Sequence, residues 1–167
     1  SPKELEERFI YDVEQGLQHS DMDRLRNHLH GDVLYFTDNC GEIVFDRLVC
    51  RELKSHHDIT LTLVVKGAPI LTDATMEDVQ ALQFDEVVDD IVTTGGFAIG
   101  VDFDMLPEIG RHGLDKASLV IAKGMANYEA FSEITYRPIA FLLKVKCKSI
   151  AEAMDMPLNG HIVAVYD

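Results

Sequence analysis

The feature that most constrains the fold is the alternation of short apolar segments with amphipathic helical segments after residue 32. The apolar segments are rich in β-branched residues and too apolar to leave one face in water, which predicts strands that are covered on both faces. Strands that alternate with helices favour a parallel sheet flanked by helices. The predicted fold class is therefore α/β, a three-layer α/β/α sandwich with a mainly parallel, Rossmann-like sheet. The predicted strands are residues 33–37, 59–65, 86–92, 119–122, 139–145 and 161–166.

Helical spacing of apolar residues predicts helices between these strands and two more before them. The N-terminal helix is predicted to have Ser1 as its N-cap. Gly31 is placed to end a second helix, residues 21–30, in a left-handed conformation. The later predicted helices are residues 41–54, 76–82, 103–110, 128–133 and 149–153.

Length and composition bound the domain organisation. The chain has 167 residues, of which 47% are hydrophobic, and this is enough apolar material for one core. We expect a single α/β domain over residues 1–167, with a helical N-terminal segment, 1–31, and a metal- and phosphate-binding core, 32–167.

The charge, the apolar stretches and the cysteines bear on the partners and the location of the protein. A formal net charge of −14 argues against a nucleic-acid partner, because such partners need a basic face. No apolar stretch reaches the roughly 18 residues of a membrane span, and the N-terminus has no apolar signal-peptide core, so we expect no membrane contact and a cytoplasmic location. Cys40, Cys50 and Cys147 are odd in number and lack C-x-x-C spacing, which predicts free thiols. The oligomeric state stays open.

Polar side chains with oxygen donors follow two of the predicted strands. Asp38 and Asn39 come directly after the first strand, and Asp73 follows the second. In open α/β sheets ligands bind outside the carboxyl ends of the strands. Carboxylate and amide oxygens suit Mg²⁺ or Mn²⁺ better than a soft metal. Each of these residues is also a common helix cap or turn residue, so it is their coincidence that predicts a metal site.

The same edge of the sheet is predicted to hold an anion. Lys66 and Lys123 each lie at a strand end, and the loop that contains Thr94 and Gly95 has backbone amides that glycine leaves accessible to phosphate oxygens. A solvated lysine or an ordinary turn would look alike in sequence. Four consecutive strand ends with groups suited to one metal and one phosphate favour a shared site.

These residues, in this order, resemble the damage-control phosphatase family, a former domain-of-unknown-function family of metal-dependent phosphatases. The resemblance is carried by segments 38–46, 66–78, 93–100, 121–129 and 141–147, five motifs in register. It implies that Asp38, Asn39 and Asp73 bind a divalent cation. The oxygen donors favour Mg²⁺ or Mn²⁺, with Co²⁺ or Ni²⁺ as alternatives. It also implies that Lys123 and Asn127 bind the substrate phosphate. Family members are longer, with a helical domain before the Asp-Asn strand, whereas only residues 1–31 precede it here.

The residues and the resemblance together lead to a functional hypothesis. It is a metal-dependent phosphatase that hydrolyses small phosphate esters, such as sugar phosphates or phosphorylated cofactor intermediates, as metabolite damage control. Asp38 would either attack phosphorus or only hold the metal, and Glu42 would orient the metal ligands. One alternative is a non-catalytic nucleotide- or metabolite-binding domain. A weaker one is an S-adenosylmethionine-dependent carboxyl methyltransferase, since no glycine-rich cofactor loop follows the first strand.

Overall fold

The computed structural model describes the backbone of residues 2–134 and 136–167, and their side chains except those of residues 2, 5 and 8. Ser1, the predicted N-cap, lies outside the described residues. The strands are β1 (His19–Ser20), β2 (Gly31–Phe36), β3 (Ile59–Val65), β4 (Asp90–Thr93), β5 (Leu119–Lys123), β6 (Ile139–Lys144) and β7 (His161–Tyr166). The helices are α1 (Pro2–Gln15), α2 (Met22–Asn27), α3 (Ile43–His56), α4 (Met76–Ala81), α5 (Glu108–Lys116), α6 (Met125–Ser132) and α7 (Lys148–Met154), with a 3-10 turn at Phe84–Glu86.

All of these strands join one sheet in the order β1-β7-β6-β5-β2-β3-β4. Every neighbouring pair is parallel except β6 and β7, which are antiparallel. Apolar side chains from the two faces of the sheet form two separate clusters, one containing residues of α2, α3 and α4 and the other residues of α5, α6 and α7. The three-layer α/β/α architecture with a mainly parallel sheet is confirmed.

The strand order places a switch point at β2. From β2 the chain proceeds to β3 and β4 on one side, and it then crosses back to β5, which pairs with the other side of β2. The helices that follow β2 and β4 consequently lie on opposite faces of the sheet. A crevice opens outside the carboxyl ends of such a strand pair, and this is where open α/β sheets bind ligands.

Most predicted strands are found within two residues of their expected bounds, but the segment 86–92 is corrected. Residues 84–86 form a 3-10 turn, and β4 begins only at Asp90. Phe84, Val87 and Val88 are all buried at helical spacing, so their apolar character reflects a turn packed on the core rather than a strand. The two-residue strand β1, which pairs with β7, was not predicted from the sequence.

The helix predicted at 103–110 is also corrected. The helix is α5, which begins after Pro107, while the Asp102 carboxylate accepts hydrogen bonds from the backbone N–H groups of Asp104 and Met105 in a preceding turn. Proline disfavours helical conformation in the residue before it, which explains the late start. The helix continues past Gly110 to Lys116 because it packs closely on the sheet, where a Cβ on Gly113 would lie 3.4 Å from Leu34.

The N-terminal segment differs from its prediction at Gly31. This residue has the expected left-handed conformation, with φ of +60°, but α2 ends earlier, at Asn27, and Gly31 is the first residue of β2. None of the described helices is both long and apolar enough to cross a membrane.

Candidate active site at the carboxyl ends of the strands

The segments that follow β2 and β3 are locked together by backbone pairing. Asn39 and Asp73 form an antiparallel bridge, and the backbone N–H groups of Ala74 and Cys40 donate to the carbonyl oxygens of Asp38 and Thr72, each at 2.8 Å. A second bridge joins Lys66 to Thr75. These pairings hold Asp38, Asn39 and Asp73 at one place, although they come from two loops.

Asp38 is half-buried at the centre of this group. Burial first, and then the carboxylates of Glu42 and Asp73, raise the pKa of its carboxyl to about 6, against the opposing effect of Lys123. The half-buried position of Asp38 and the nearby carboxylates of Glu42 and Asp73 both favour its neutral form. Such a group of oxygen donors is suited to a cation.

Asn39 has one amide orientation supported by two contacts. Its Nδ2 donates to the Thr72 hydroxyl at 2.5 Å, and its Oδ1 accepts from the backbone N–H of Gly41 at 2.8 Å. A carbonyl oxygen has two lone pairs, so Oδ1 retains one for a further partner. The contacts fix the direction of this oxygen at the start of α3.

Lys66 is buried beneath Asp73 rather than exposed at the site. Its ammonium lies 3.4 Å from Asp73 Oδ2 and donates to the carbonyl oxygens of Ala98, at 3.1 Å, and Gly100. Burial lowers its pKa, partly offset by Asp73. The side chain therefore ties the segment after β4 to the loop that carries Asp73. Its predicted contact with phosphate stays a prediction.

The loop containing Thr94 and Gly95 is held against the end of β3. Thr94 is buried, and its hydroxyl lies within 3.3 Å of the Gly67 backbone nitrogen and 3.4 Å of the Gly96 carbonyl oxygen. The N–H of Gly95 donates to the Thr93 hydroxyl at 3.4 Å. These polar groups already have partners within the protein, and their role in phosphate binding likewise stays a prediction.

Lys123 is the last residue of β5, and its side chain is 16% exposed. Its ammonium donates to Asp46 Oδ1 at 2.7 Å and lies 3.4 Å from Glu42 Oε2. Burial alone would lower the pKa of Lys123, but the two carboxylates outweigh it and raise the pKa above its usual value. The residue therefore carries its charge at neutral pH.

The turn after Lys123 brings backbone close to Asp38. Gly124 has φ of +80°, and a Cβ there would lie only 2.0 Å from Asp38 Oδ2. Asn127 is buried, and its Nδ2 donates to the carbonyl oxygens of Thr37 and Lys123, at 2.9 and 2.8 Å. Asn127 thus connects the ends of β2 and β5, and its direct contact with phosphate stays a prediction.

A family model described as the damage-control phosphatase ARMT1-like domain matches residues 1–162 of the chain. The chain belongs to this family. It is 41% identical over 155 residues to a protein named damage-control phosphatase from Archaeoglobus fulgidus, covering 93% of the chain and 54% of that relative. It is 31% identical over 167 residues to damage-control phosphatase PH1575 from Pyrococcus horikoshii, covering 99% of the chain and 58% of the relative.

The crystal structure of a DUF89 family protein from Pyrococcus horikoshii has the same fold. Its TM-score is 0.91 at 29% sequence identity, and the match covers 100% of this chain and 59% of that one. The chain thus spans little more than half the length of these relatives. The resemblance to the damage-control phosphatase family that the sequence motifs indicated is confirmed.

In this member of the family, the residues fit a hard divalent cation. Asp38 and Asp73 supply carboxylate oxygens, and Asn39 supplies an amide oxygen of fixed direction. Within the described residues, no cluster of three or more His, Cys, Asp or Glu side chains has a metal-binding arrangement. A metal held here would therefore depend on the Asn39 oxygen and on water or substrate for its remaining ligands, as is usual for Mg²⁺.

Asp46 and Tyr35 are the polar residues near the site that the sequence prediction missed. Asp46 is 1% exposed and accepts hydrogen bonds from both the Tyr35 hydroxyl and Lys123. A signal was present in the sequence, because Ile43, Asp46 and Cys50 share one face of α3. A carboxylate on the buried face of an amphipathic helix requires a partner.

Proposed function

We propose that the chain is a metal-dependent phosphatase that acts on small phosphorylated metabolites. Two relatives carry the name damage-control phosphatase, which supports the reaction class. The observation that carries the proposal is the bridge between Asn39 and Asp73, which gathers the oxygen donors of two loops beside Asp38.

The proposed cofactor is one divalent cation, Mg²⁺ or Mn²⁺ and alternatively Co²⁺ or Ni²⁺. Asp38, Asn39 and Asp73 would hold it, and Glu42 would orient this group from outside. When bound, such a cation neutralises charge on the phosphoryl group and favours the attack of water. The raised pKa of Asp38, caused first by burial and then by the carboxylates of Glu42 and Asp73, supports a cation here, because a positive charge would stabilise the ionised carboxylate.

The chain's own residues would orient the phosphoryl group. Lys123 places an ammonium between β5 and α3, where its charge acts on Asp38. Gly124, which precedes α6, approaches Asp38 closely, so we expect the first backbone amides of α6 to face the same crevice. Charged hydrogen bonds of this kind hold phosphate oxygens in position. Lys66, Thr94 and Asn127 support the surrounding loops through the contacts described above.

The proposed substrates are sugar phosphates or phosphorylated cofactor intermediates. A net charge of −14 disfavours long polyanions, whereas a small ester can be held by a metal and one or two cations. The three free thiols, Cys40, Cys50 and Cys147, suit a reducing cytoplasmic compartment.

The proposal is tested by measuring phosphate release from a panel of sugar phosphates, phosphorylated cofactors and p-nitrophenyl phosphate. Each ester is assayed with Mg²⁺, Mn²⁺, Co²⁺ or Ni²⁺ and with a chelator. We expect turnover that depends on the metal and is lost in the chelator. Tight binding of an ester without turnover would favour the non-catalytic binding domain, and methyl transfer from S-adenosylmethionine would favour the methyltransferase.

A further inference from the structure

Asp46 is a carboxylate in the interior of the protein, on the face of α3 that packs against the sheet. Its Oδ1 accepts two hydrogen bonds of 2.7 Å, one from the hydroxyl of Tyr35 and one from Nζ of Lys123. Tyr35 belongs to β2 and is fully buried, and Lys123 belongs to the neighbouring strand β5. The three side chains therefore connect a helix to the two strands that flank the switch point.

A contribution to folding stability alone does not explain the buried contacts of Asp46 with Tyr35 and Lys123. The other carboxylate oxygen of Asp46, Oδ2, is buried and has no hydrogen-bond partner among the described residues. A buried polar atom without a partner costs free energy. Apolar side chains of similar volume often replace a buried ion pair without loss of stability. A role in placing the ammonium of Lys123 accounts for the contact better.

The hydrogen bonds of Lys123 define where its charge is located. A lysine ammonium has three N–H donors. Asp46 accepts from it at 2.7 Å, and Glu42 Oε2 lies 3.4 Å away, so one donor is left for a ligand in the crevice. The four-carbon stem of lysine is flexible, and a second charged group is needed to keep its ammonium in one position. Asp46 meets that need from the buried side.

We propose that Asp46, oriented by the Tyr35 hydroxyl, is a positioning residue that holds the Lys123 ammonium where it contacts the phosphoryl group of the substrate. The inference rests on the proposed phosphatase function. Asp46 acts only through Lys123 and does not touch the substrate.

The first test compares phosphate and metal binding in two variants. Asp46→Asn keeps the volume and removes the charge, and Tyr35→Phe removes only the hydroxyl that orients Asp46. Calorimetry with inorganic phosphate and Mn²⁺ should show phosphate affinity about tenfold lower in Asp46→Asn and about threefold lower in Tyr35→Phe. Mn²⁺ affinity should be unchanged in both. A merely structural role would weaken both ligands together, and that result would overturn the proposal.

The second test is a double-mutant cycle with Lys123→Ala. If Asp46 acts through Lys123, Asp46→Asn should cause no further loss of phosphate affinity in the Lys123→Ala background. The same tenfold loss in both backgrounds would show that Asp46 acts independently of Lys123. Tyr35→Phe in the same cycle provides the answer if Asp46→Asn does not fold.

Asp89→Asn is the matched control. Asp89 pairs with Lys54 at 2.6 Å near the start of β3. This pair lies at the amino-terminal ends of the strands, away from the candidate site. Its loss should lower the melting temperature and leave phosphate affinity unchanged. A weaker phosphate affinity in this control would mean that any lost Lys–Asp pair produces the effect.

The two levels of proposal fail in different ways. If the wild-type protein hydrolyses esters while Asp46→Asn and Tyr35→Phe keep full phosphate affinity, only the positioning role is overturned. If the wild-type protein binds Mn²⁺ but neither binds phosphate nor hydrolyses any ester, the proposed function is overturned together with this inference.

Discussion

Asn39 and Asp73 pair across an isolated antiparallel bridge that joins the loops after β2 and β3. The bridge is made by backbone groups, so it fixes the positions of the two side chains whatever they bind. It also places Asp38 next to Asp73, and their mutual repulsion contributes to the raised pKa of Asp38. Preorganisation of this kind lets oxygen donors from two loops act on one ligand.

The pKa of Asp38 predicts a pH dependence for the metal-free protein. Burial, Glu42 and Asp73 raise this pKa from 3.8 to about 6. Between these values the folded state holds a proton that the unfolded state has released, so the contribution of Asp38 to stability falls as pH rises through the window. Above about pH 6 the Asp38 carboxyl is ionised in both the folded and the unfolded state. The free-energy penalty for its raised pKa is then constant.

Asp38→Asn removes this penalty. At pH 7 we expect the metal-free variant to be more stable than the wild type by about 1 kcal/mol, since the half-exposed side chain is partly screened by solvent. The difference should shrink as the pH is lowered from 6 to 4. Urea unfolding of both proteins in chelator measures it, and Asp85→Asn, which alters an exposed carboxylate of the 3-10 turn, is the control. A difference that does not vary with pH would contradict the assignment.

The same proton competes with the metal. Mn²⁺ affinity should rise with pH up to about 6 and then level off, because the Asp38 carboxyl must ionise before it binds a cation. Calorimetric titrations at several pH values check this. Affinity that is independent of pH between 4.5 and 7 would show that Asp38 is not a ligand.

Asp38→Asn should also abolish hydrolysis of p-nitrophenyl phosphate while the fold is kept. The change removes a charge with little change in volume, and the loss of a metal-holding carboxylate should lower turnover roughly a hundredfold or more. Circular dichroism confirms folding, and phosphate release gives the rate. Near-normal turnover with unchanged metal dependence would make Asp38 a turn residue and nothing more.

Lys123→Ala should weaken phosphate binding while metal binding persists. Its ammonium is a charged donor in the crevice, and hydrogen bonds to charged groups contribute about 1.5 to 3 kcal/mol. Inorganic phosphate and Mn²⁺ titrated separately into wild type and variant give the two affinities. Equal phosphate affinities would remove Lys123 from the site, and loss of both ligands would indicate a structural role.

The sequence predicts those parts of the fold that depend on local pattern. The bounds of β3 and β7 agree fully with the predicted segments 59–65 and 161–166, because alternating turns and β-branched runs define them. Asp38, Asn39 and Asp73 could be grouped because parallel strands end at a common edge. The predicted strand 86–92 was wrong in its first half, where apolar residues serve a turn.

The features of the site that the sequence did not predict depend on contacts between segments that are distant in the chain. Local patterns in a single sequence do not record such contacts. The ammonium of Lys66 donates to the carbonyl oxygens of Ala98 and Gly100, more than thirty residues later, and no local pattern predicts these contacts. The bridge between Asn39 and Asp73 is of the same kind. In the sequence, Tyr35 has the pattern of an ordinary apolar strand residue. Only the packing of α3 on β2 shows that its hydroxyl donates a hydrogen bond to Asp46.

Gly124 provides a test of how closely the turn after β5 approaches Asp38. A Cβ at Gly124 would lie 2.0 Å from Asp38 Oδ2 and 2.3 Å from its Cγ, so Gly124→Ala must displace the carboxylate or the turn. The substitution also places a side chain at φ of +80° and ψ of 166°, a region occupied almost only by glycine, which costs roughly 1 to 3 kcal/mol by itself.

Gly16→Ala separates these two effects. Gly16 also has a positive φ, +62°, but a Cβ there would meet nothing within 4 Å, so the variant carries a cost of positive φ without the clash. We expect both variants to lose some stability, and only Gly124→Ala to lose Mn²⁺ affinity, by about tenfold or more, because the Asp38 carboxylate is moved from its neighbours. Unfolding curves and metal titrations of the two variants decide the matter. Equal Mn²⁺ affinity in both would show that the position of the Asp38 carboxylate beside Gly124 is not required for metal binding.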